Sequence, residues 1–147
     1  MPLMRDAVLV LFALLLILIH PARMLAMDLS IPADTAYLQP HDGKARFQRQ
    51  DHSIIWQDAQ TSLHWYGQIN QIASLEVTLH CQSKEDGAIT LELQVGSQAI
   101  TRTTDLQGGQ NTLIKFGQVV IEKTGYHHFA LSLRGNLAHP LIVNSLN

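Results

Sequence analysis

Residues 117–133 read GQVVIEKTGYHHFALSL, with two short apolar runs, VVI and FALSL, on either side of a Lys-Thr-Gly turn. In the second run Phe129, Leu131 and Leu133 alternate with the small residues Ala130 and Ser132. An apolar residue at every second position is typical of a strand that buries one face. The stretch therefore predicts two β-strands joined by a glycine turn.

Similar alternation recurs along the chain that precedes this stretch. It is clear in residues 62–70, 75–81 and 88–95, and shorter β-favouring runs lie at residues 53–57, 98–104, 112–116 and 141–146. The sum is eight or nine strands, and no stretch after the N-terminal segment has a convincing helical period. Polar residues opposite the apolar ones indicate antiparallel sheets with one wet face. The predicted fold class is an all-β antiparallel β-sandwich.

The N-terminus has the pattern of a secretory signal. Arg5 precedes an apolar run at residues 7–19, and HPAR at residues 20–23 breaks the run before Ala26. A helix of that length spans about 20 Å, short of the roughly 30 Å hydrocarbon core of a bilayer. Residues 1–26 are thus predicted to be a signal peptide cut after Ala26, with an uncleaved N-terminal anchor as the alternative.

The remaining 121 residues suffice for one core. Residues 27–52 are expected to form a leading arm with one short strand that packs onto a sandwich at residues 53–147. Eight Lys or Arg against eleven Asp or Glu give this part a formal net charge of −3. A mildly acidic domain without a basic run argues against nucleic-acid binding. We expect an exported bacterial protein, periplasmic or extracellular, without a stable membrane span after cleavage.

A single cysteine, Cys81, cannot form an intramolecular disulfide. It continues the apolar phase of Leu75, Val77 and Leu79, which predicts a small buried side chain. An intermolecular disulfide or a nucleophilic thiol is the alternative.

A family resemblance rests on the order of motifs between residues 64 and 133. These are Trp65-Tyr66 in a strand, an acidic-glycine turn, Val95-Gly96, a Phe-Gly-x-Val step at residues 116–119 and Gly125-Tyr126 before the last alternating strand. This order resembles the carbohydrate-binding-module-like, galactose-binding-like sandwiches of exported bacterial proteins, in particular an uncharacterised module that precedes another domain. The resemblance implies a jelly-roll-like sandwich and a glycan ligand. Residues 27–51 show no paired-acid calcium motif, so no cofactor is predicted.

A glycan site needs an exposed aromatic face for the sugar ring and a few fixed polar groups for its hydroxyls. The predicted ligand-binding residues are Trp56 and Tyr66 as the aromatic surface, with polar help from Asp58, His64 or His80. Trp56 borders a polar break, so the sequence allows two positions for its side chain: at the edge of the core, or in contact with the ligand. Tyr66 points away from the apolar face of its strand.

Two other aromatic residues are expected to be structural. Trp65 shares its phase with Leu63 and Ile69, so we assign it to the core. Tyr126 begins its strand, where a tyrosine is more often anchored through its hydroxyl.

Histidines raise the question of a metal. If residues 62–70 and 75–81 formed a hairpin, His64 would face His80 on the wet side of the sheet. The sequence places no third or fourth ligand, so no metal site is predicted. His127 and His128 are adjacent in a strand and must point to opposite faces.

No catalytic constellation is present. The chain has no nucleophile elbow, no HExxH and no phosphate-binding glycine loop, and nothing in the spacing of Asp58 and Glu76 supports a pair of catalytic carboxylates. The sequence therefore predicts a non-catalytic module that binds carbohydrate or a cell-envelope glycan. The alternative is a structural or protein-interaction module in the periplasm, bound to a protein partner.

Overall fold

The computed structural model describes residues 30–41 and 43–147. The predicted signal peptide lies outside the described residues. Two antiparallel sheets pack face to face, which confirms the predicted β-sandwich. The strands are β1 (Ile31–Pro32), β2 (Tyr37–Gln39), β3 (Arg46–Gln48), β4 (Ser53–Trp56), β5 (Ser62–Ile69), β6 (Ala73–Ser83), β7 (Gly87–Val95), β8 (Gln98–Leu106), β9 (Asn111–Ile121), β10 (Gly125–Leu133) and β11 (Leu141–Leu146).

The strand order is that of a jelly roll. One sheet has the order β3-β4-β11-β6-β9, with β1 also paired to β11, and the other has the order β2-β5-β10-β7-β8. From β4 to β11 each strand crosses to the opposite sheet, except that β7 and β8 form a hairpin within one sheet. This winding of eight strands over two sheets confirms the jelly-roll-like architecture.

A β-bulge joins two of the predicted strands into one. β9 includes both residues 112–116 and the VVI run, and its pairing with β6 shifts register where Val77 faces Gly117 and Thr78 faces Lys115. Phe116 is the extra residue, and Gly117 has φ +103°, a conformation that glycine adopts easily. The shift keeps the apolar side chains on both sides of the bulge in the core. β10 then follows as predicted, but in the opposite sheet.

The core lies between the two sheets. Trp65 and Cys81 are both buried, as predicted from their phase in the sequence. Burial raises the pKa of the Cys81 thiol to about 12, so the thiol stays protonated and unreactive at neutral pH.

The leading arm contributes more strand than the sequence predicted. Its described part contains three short strands where one was expected: β1 pairs with β11, β2 with β5 and β3 with β4. A single 3-10 turn, Ala33–Thr35, lies between β1 and β2. No helix in the described part of the chain is long and apolar enough to span a membrane.

Side chains from β8 cover the free edge of β9, which closes one side of the sandwich. The Gln98 amide accepts from the Val120 N–H at 3.0 Å and donates to the Val120 carbonyl at 2.7 Å. Arg102 donates to the carbonyl oxygens of Lys115 at 3.2 Å and Phe116 at 2.6 Å. Backbone groups that have no strand partner are therefore satisfied by the other sheet.

Candidate functional site

The outer face of the five-stranded sheet carries a cluster of rings. Tyr37 on β2 lies opposite His64 on β5, and Tyr66 on β5 lies opposite His128 on β10. Residues 64 and 66 share a face because strand side chains alternate, and the antiparallel register brings the partner strands level with them. We call this cluster of four residues, Tyr37, His64, Tyr66 and His128, the aromatic face.

Ring contacts hold the aromatic face in one arrangement. The Tyr66 and His128 rings stack with their centroids 4.6 Å apart and their planes at 10°. Tyr37 meets Tyr66 edge-on at 5.8 Å and 72°. Even so, Tyr37 and Tyr66 remain 64% and 56% exposed, which leaves a large aromatic area in contact with solvent.

The two imidazoles of the aromatic face meet through their nitrogens. Nδ1 of His64 lies 2.7 Å from Nε2 of His128, and Nε2 of His64 lies 2.6 Å from the hydroxyl of Ser62. The ring planes differ by only 9°. Because 2.7 Å is shorter than a face-to-face separation of about 3.5 Å, the rings lie edge to edge, joined by one hydrogen bond.

Burial, and the positive charge of His128 when it is protonated, lower the pKa of His64. Both effects disfavour the charged form of His64. His64 is therefore neutral at neutral pH.

Polar side chains surround the aromatic face. On β5, Gln68 lies opposite Tyr126, and on β7, Gln94 lies opposite Ala130. Glu92, also on β7, is bound to Arg134. Hydrogen-bonding groups thus lie next to exposed rings on one continuous surface.

Tyr126 differs from its prediction. It is 80% exposed, and its hydroxyl has no hydrogen-bond partner within residues 30–41 and 43–147. The expected hydroxyl anchor is absent from this region because β10 begins at Gly125, at the rim of the sheet, where the side chain extends into solvent.

Trp56 does not form the exposed aromatic surface that the sequence predicted. Its side chain is 0% exposed, and its indole Nε1 donates to the carbonyl of Thr61 at 3.0 Å. It lies on β4, in the sheet opposite Tyr66, and points into the core. The pairing of Trp56 and Tyr66 as one platform is therefore wrong.

Asp58 organises the turn between β4 and β5. Its carboxylate accepts from the backbone N–H groups of Lys44, Gln60 and Thr61 and from the Thr61 hydroxyl, at 2.7 to 3.1 Å. Burial raises its pKa, but these hydrogen bonds outweigh burial and the net pKa is lowered. Asp58 also borders a polar cleft of about 400 Å³, whose other lining residues are Gly43, Lys44, Gln57, Gln60, Asn136 and Leu137.

His80 does not lie with His64 and Tyr66. It lies on β6, between Leu113 of β9 and Ser145 of β11, on the sheet opposite His64. The hairpin that would have brought His64 and His80 together does not form, because β5 and β6 belong to different sheets. Of the five predicted residues, only His64 and Tyr66 lie together on an exposed face.

The sequence of the chain also identifies its relatives. A family model matches residues 31–137, more than half of the chain. The chain belongs to the DUF5077 family. That family is described as a domain of unknown function. No curated protein matches the sequence.

Solved structures similar to this DUF5077 chain include carbohydrate-binding modules. The CBM36-1 domain of a multidomain xylanase from the hindgut metagenome of Trinervitermes trinervoides is 12% identical, with a TM-score of 0.63 over 80% of this chain and 93% of its own. A CBM36 module in complex with calcium and xylotriose is 13% identical, with a TM-score of 0.55 over 82% of this chain and 98% of its own. The GH26-CBM35 beta-(1,4)-mannanase of Podospora anserina is 10% identical, with a TM-score of 0.59 over 80% of this chain and 26% of its own. At these identities the likeness shows a shared fold.

Calcium in one of these modules raises the question of a cation in the DUF5077 chain. Within residues 30–41 and 43–147, no three His, Cys, Asp or Glu side chains lie close enough together to hold a metal ion. Asp58 borders the cleft, but both of its oxygens already face N–H or O–H donors. Donor hydrogens aimed at a carboxylate occupy the positions that a cation would take. Asp58 does not fit calcium.

Two residues of the aromatic face were missed from the sequence. Tyr37 lies in β2, a three-residue strand too short to show alternation. His128 was considered only with its neighbour His127, whose Nε2 instead lies 2.8 Å from the Lys123 carbonyl oxygen. The available signal for His128 was its shared phase with Ala130 and Ser132 on the outer face of β10.

Proposed function

We propose that the protein is a non-catalytic carbohydrate-binding module that binds glycan on its aromatic face. The observation that carries the proposal is the continuous, exposed contact of Tyr37, Tyr66 and His128 across three neighbouring strands. Aromatic rings bind the C–H surface of a sugar ring, and rigid rings lose little conformational entropy on binding. Strands about 4.8 Å apart make this row roughly 10 Å wide, so adjacent units of a chain can contact it.

Polar groups beside the row supply what sugar hydroxyls need. Gln94 extends from the next strand, and the bound pair of Glu92 and Arg134 offers both an acceptor and donors. A few fixed polar groups around an apolar surface are the usual composition of a site that orients a small ligand. The fold likeness to CBM36 and CBM35 modules supports the same function.

Hydrogen bonding around Ser62 supports binding without chemical change. We assign the proton of the Ser62 hydroxyl to its bond with the Gln39 carbonyl oxygen, which lies 3.2 Å away and can only accept. His64 Nε2 then donates to Ser62 rather than accepting from it. A histidine in that tautomer cannot act as the base that activates a serine.

We also propose that the protein is exported. This part of the proposal rests on the charge, apolar run and small residue of the N-terminal segment. N-terminal sequencing of protein recovered from the periplasm or medium tests it, with Met27 as the expected first residue.

Affinity electrophoresis against a panel of soluble polysaccharides and isolated cell-wall polymers tests glycan binding. We expect retardation of the purified protein by at least one polymer, and a loss of about tenfold or more in affinity for Tyr66→Ala and for Tyr37→Ala. His80→Ala, a substitution on the outer face of the other sheet, is the matched control and should bind normally. If no polymer binds the protein at millimolar concentration, the proposal of glycan binding is wrong and a protein-interaction module is favoured.

A further inference from the structure

The imidazole pair of the aromatic face has one basic nitrogen left over. With the Ser62 proton assigned to the Gln39 carbonyl, Nε2 of His64 carries the proton that it donates to Ser62. Nδ1 of His64 then accepts from Nε2–H of His128. Nδ1 of His128 has no partner in the described part of the chain, and His128 is exposed.

This arrangement accepts one added proton without rearrangement. A proton on Nδ1 of His128 leaves both hydrogen bonds of His64 intact and turns His128 into a cation that donates on two sides. A second proton would have to occupy Nδ1 of His64, which breaks the bond between the rings and places two cations side by side. The lowered pKa of His64 agrees with a pair that carries a single positive charge.

Nothing on the surrounding strands neutralises that charge. The groups that face the pair are Tyr37 from β2, Tyr66 from β5 and Tyr126 from β10, all of them phenols and none a carboxylate. From β7 the nearest acid is Glu92, which is already bound to Arg134. No carboxylate within residues 30–41 and 43–147 contacts either imidazole.

The free nitrogen lies where a bound sugar would be. His128 stacks on Tyr66, so its edge borders the ring surface to which the proposed function assigns the glycan. An anionic substituent would complete the charge-assisted hydrogen bond that the protein leaves open.

We propose that the aromatic face selects glycans that carry an anionic substituent, a sulfate ester or a carboxylate, which Nδ1–H of protonated His128 binds. The inference rests on the proposed function and names the ligand class of that site. Binding of the anionic glycan strengthens as the pH falls through the range in which the pair gains its proton. A neutral glycan of the same backbone shows no such dependence.

Isothermal titration calorimetry with matched oligosaccharides tests this inference. The probes are a sulfated galactan oligosaccharide and its desulfated form, and a galacturonate oligosaccharide and its carboxyl-reduced form, each at about pH 5 and about pH 8. Sulfate stays ionised over this range, so any pH dependence in the first pair comes from the protein. We expect about tenfold tighter binding of an anionic probe at the lower pH.

Variants separate this inference from the proposed function. His128→Gln should abolish the tenfold pH effect, read for each variant as the ratio of its affinities for the anionic probe at the two pH values, and His80→Gln should keep the effect. Equal binding of charged and neutral probes at the lower pH, or a pH effect that survives in His128→Gln, would overturn the inference and leave glycan binding in place. A protein that binds a neutral polymer of the panel but no anionic probe overturns the inference alone. If the protein binds no glycan at all, both the inference and the proposed function are overturned.

Discussion

The aromatic face and the turn held by Asp58 contain the same kinds of residue and use them in opposite ways. In the aromatic face, Tyr66 and His64 lie on an exposed surface with ring area and one nitrogen of His128 left without a protein partner. In the turn, Trp56 is enclosed by the core, and Asp58 has every oxygen satisfied by neighbouring donors. A polar or aromatic residue is therefore available to a ligand only where the fold leaves its bonding capacity unused.

Among the variants that test this contrast, Trp56→Ala should have the largest effect on stability. We expect a loss of about 3–5 kcal/mol in the free energy of unfolding, because a large cavity opens in the core. Urea denaturation measures it, and Trp56→Phe, which keeps most of the volume, should lose less. A small loss for Trp56→Ala would mean that the indole is not a core element and would return it to the candidate site.

Asp58→Asn should have the next largest effect. The amide replaces one acceptor oxygen with a donor group, which faces the N–H groups of Lys44, Gln60 or Thr61, so we expect a loss of about 1–3 kcal/mol. The lowered pKa of Asp58 stabilises the fold above the ordinary carboxyl value near 4, and that stability is lost as the pH falls through the lower folded pKa. Acid unfolding followed by circular dichroism should show that Asp58→Asn lacks this component. An identical acid transition in the variant would contradict the assigned role.

His64→Gln should give the smallest change, in the slope of stability against pH. The pKa of His64 is lowered in the folded chain, so the unfolded chain binds the proton more readily and stability falls as the pH drops below about 6.5. Melting temperatures measured between about pH 7 and pH 5 should fall less steeply in the variant. An unchanged slope would show that the pKa of His64 is not lowered in the folded chain and would contradict its assigned neutral state.

The sequence predicted the strands well because each strand has one buried face, and burial of alternate side chains leaves a direct mark on the sequence. Trp65 and Cys81 were placed correctly for that reason. Trp56 was ambiguous because the run SIIW has apolar residues at consecutive positions, so no phase could be read. In the structure Ile54 and Trp56 face inward while Ile55 is only partly buried.

The sequence carries no comparable pattern that shows which strands lie side by side. The jelly roll sends β5 and β6 to opposite sheets, and this separation removed the expected pairing of His64 with His80. The same winding brings β2, β5 and β10 together from three distant parts of the chain, which assembles Tyr37, Tyr66 and His128. The candidate site depends on this long-range pairing, whereas the fold class depends on local periodicity.

The side chains of Gln98 and Arg102 on the edge of β9 have a consequence for self-association. An uncovered edge strand offers N–H and C=O groups to an edge of a second molecule, the first step toward aggregation. Here Val120 already exchanges both of its backbone hydrogen bonds with Gln98, and Arg102 occupies the carbonyls at the bulge. Such intramolecular edge protection lowers the tendency of the folded chain to pair with a second copy and aggregate.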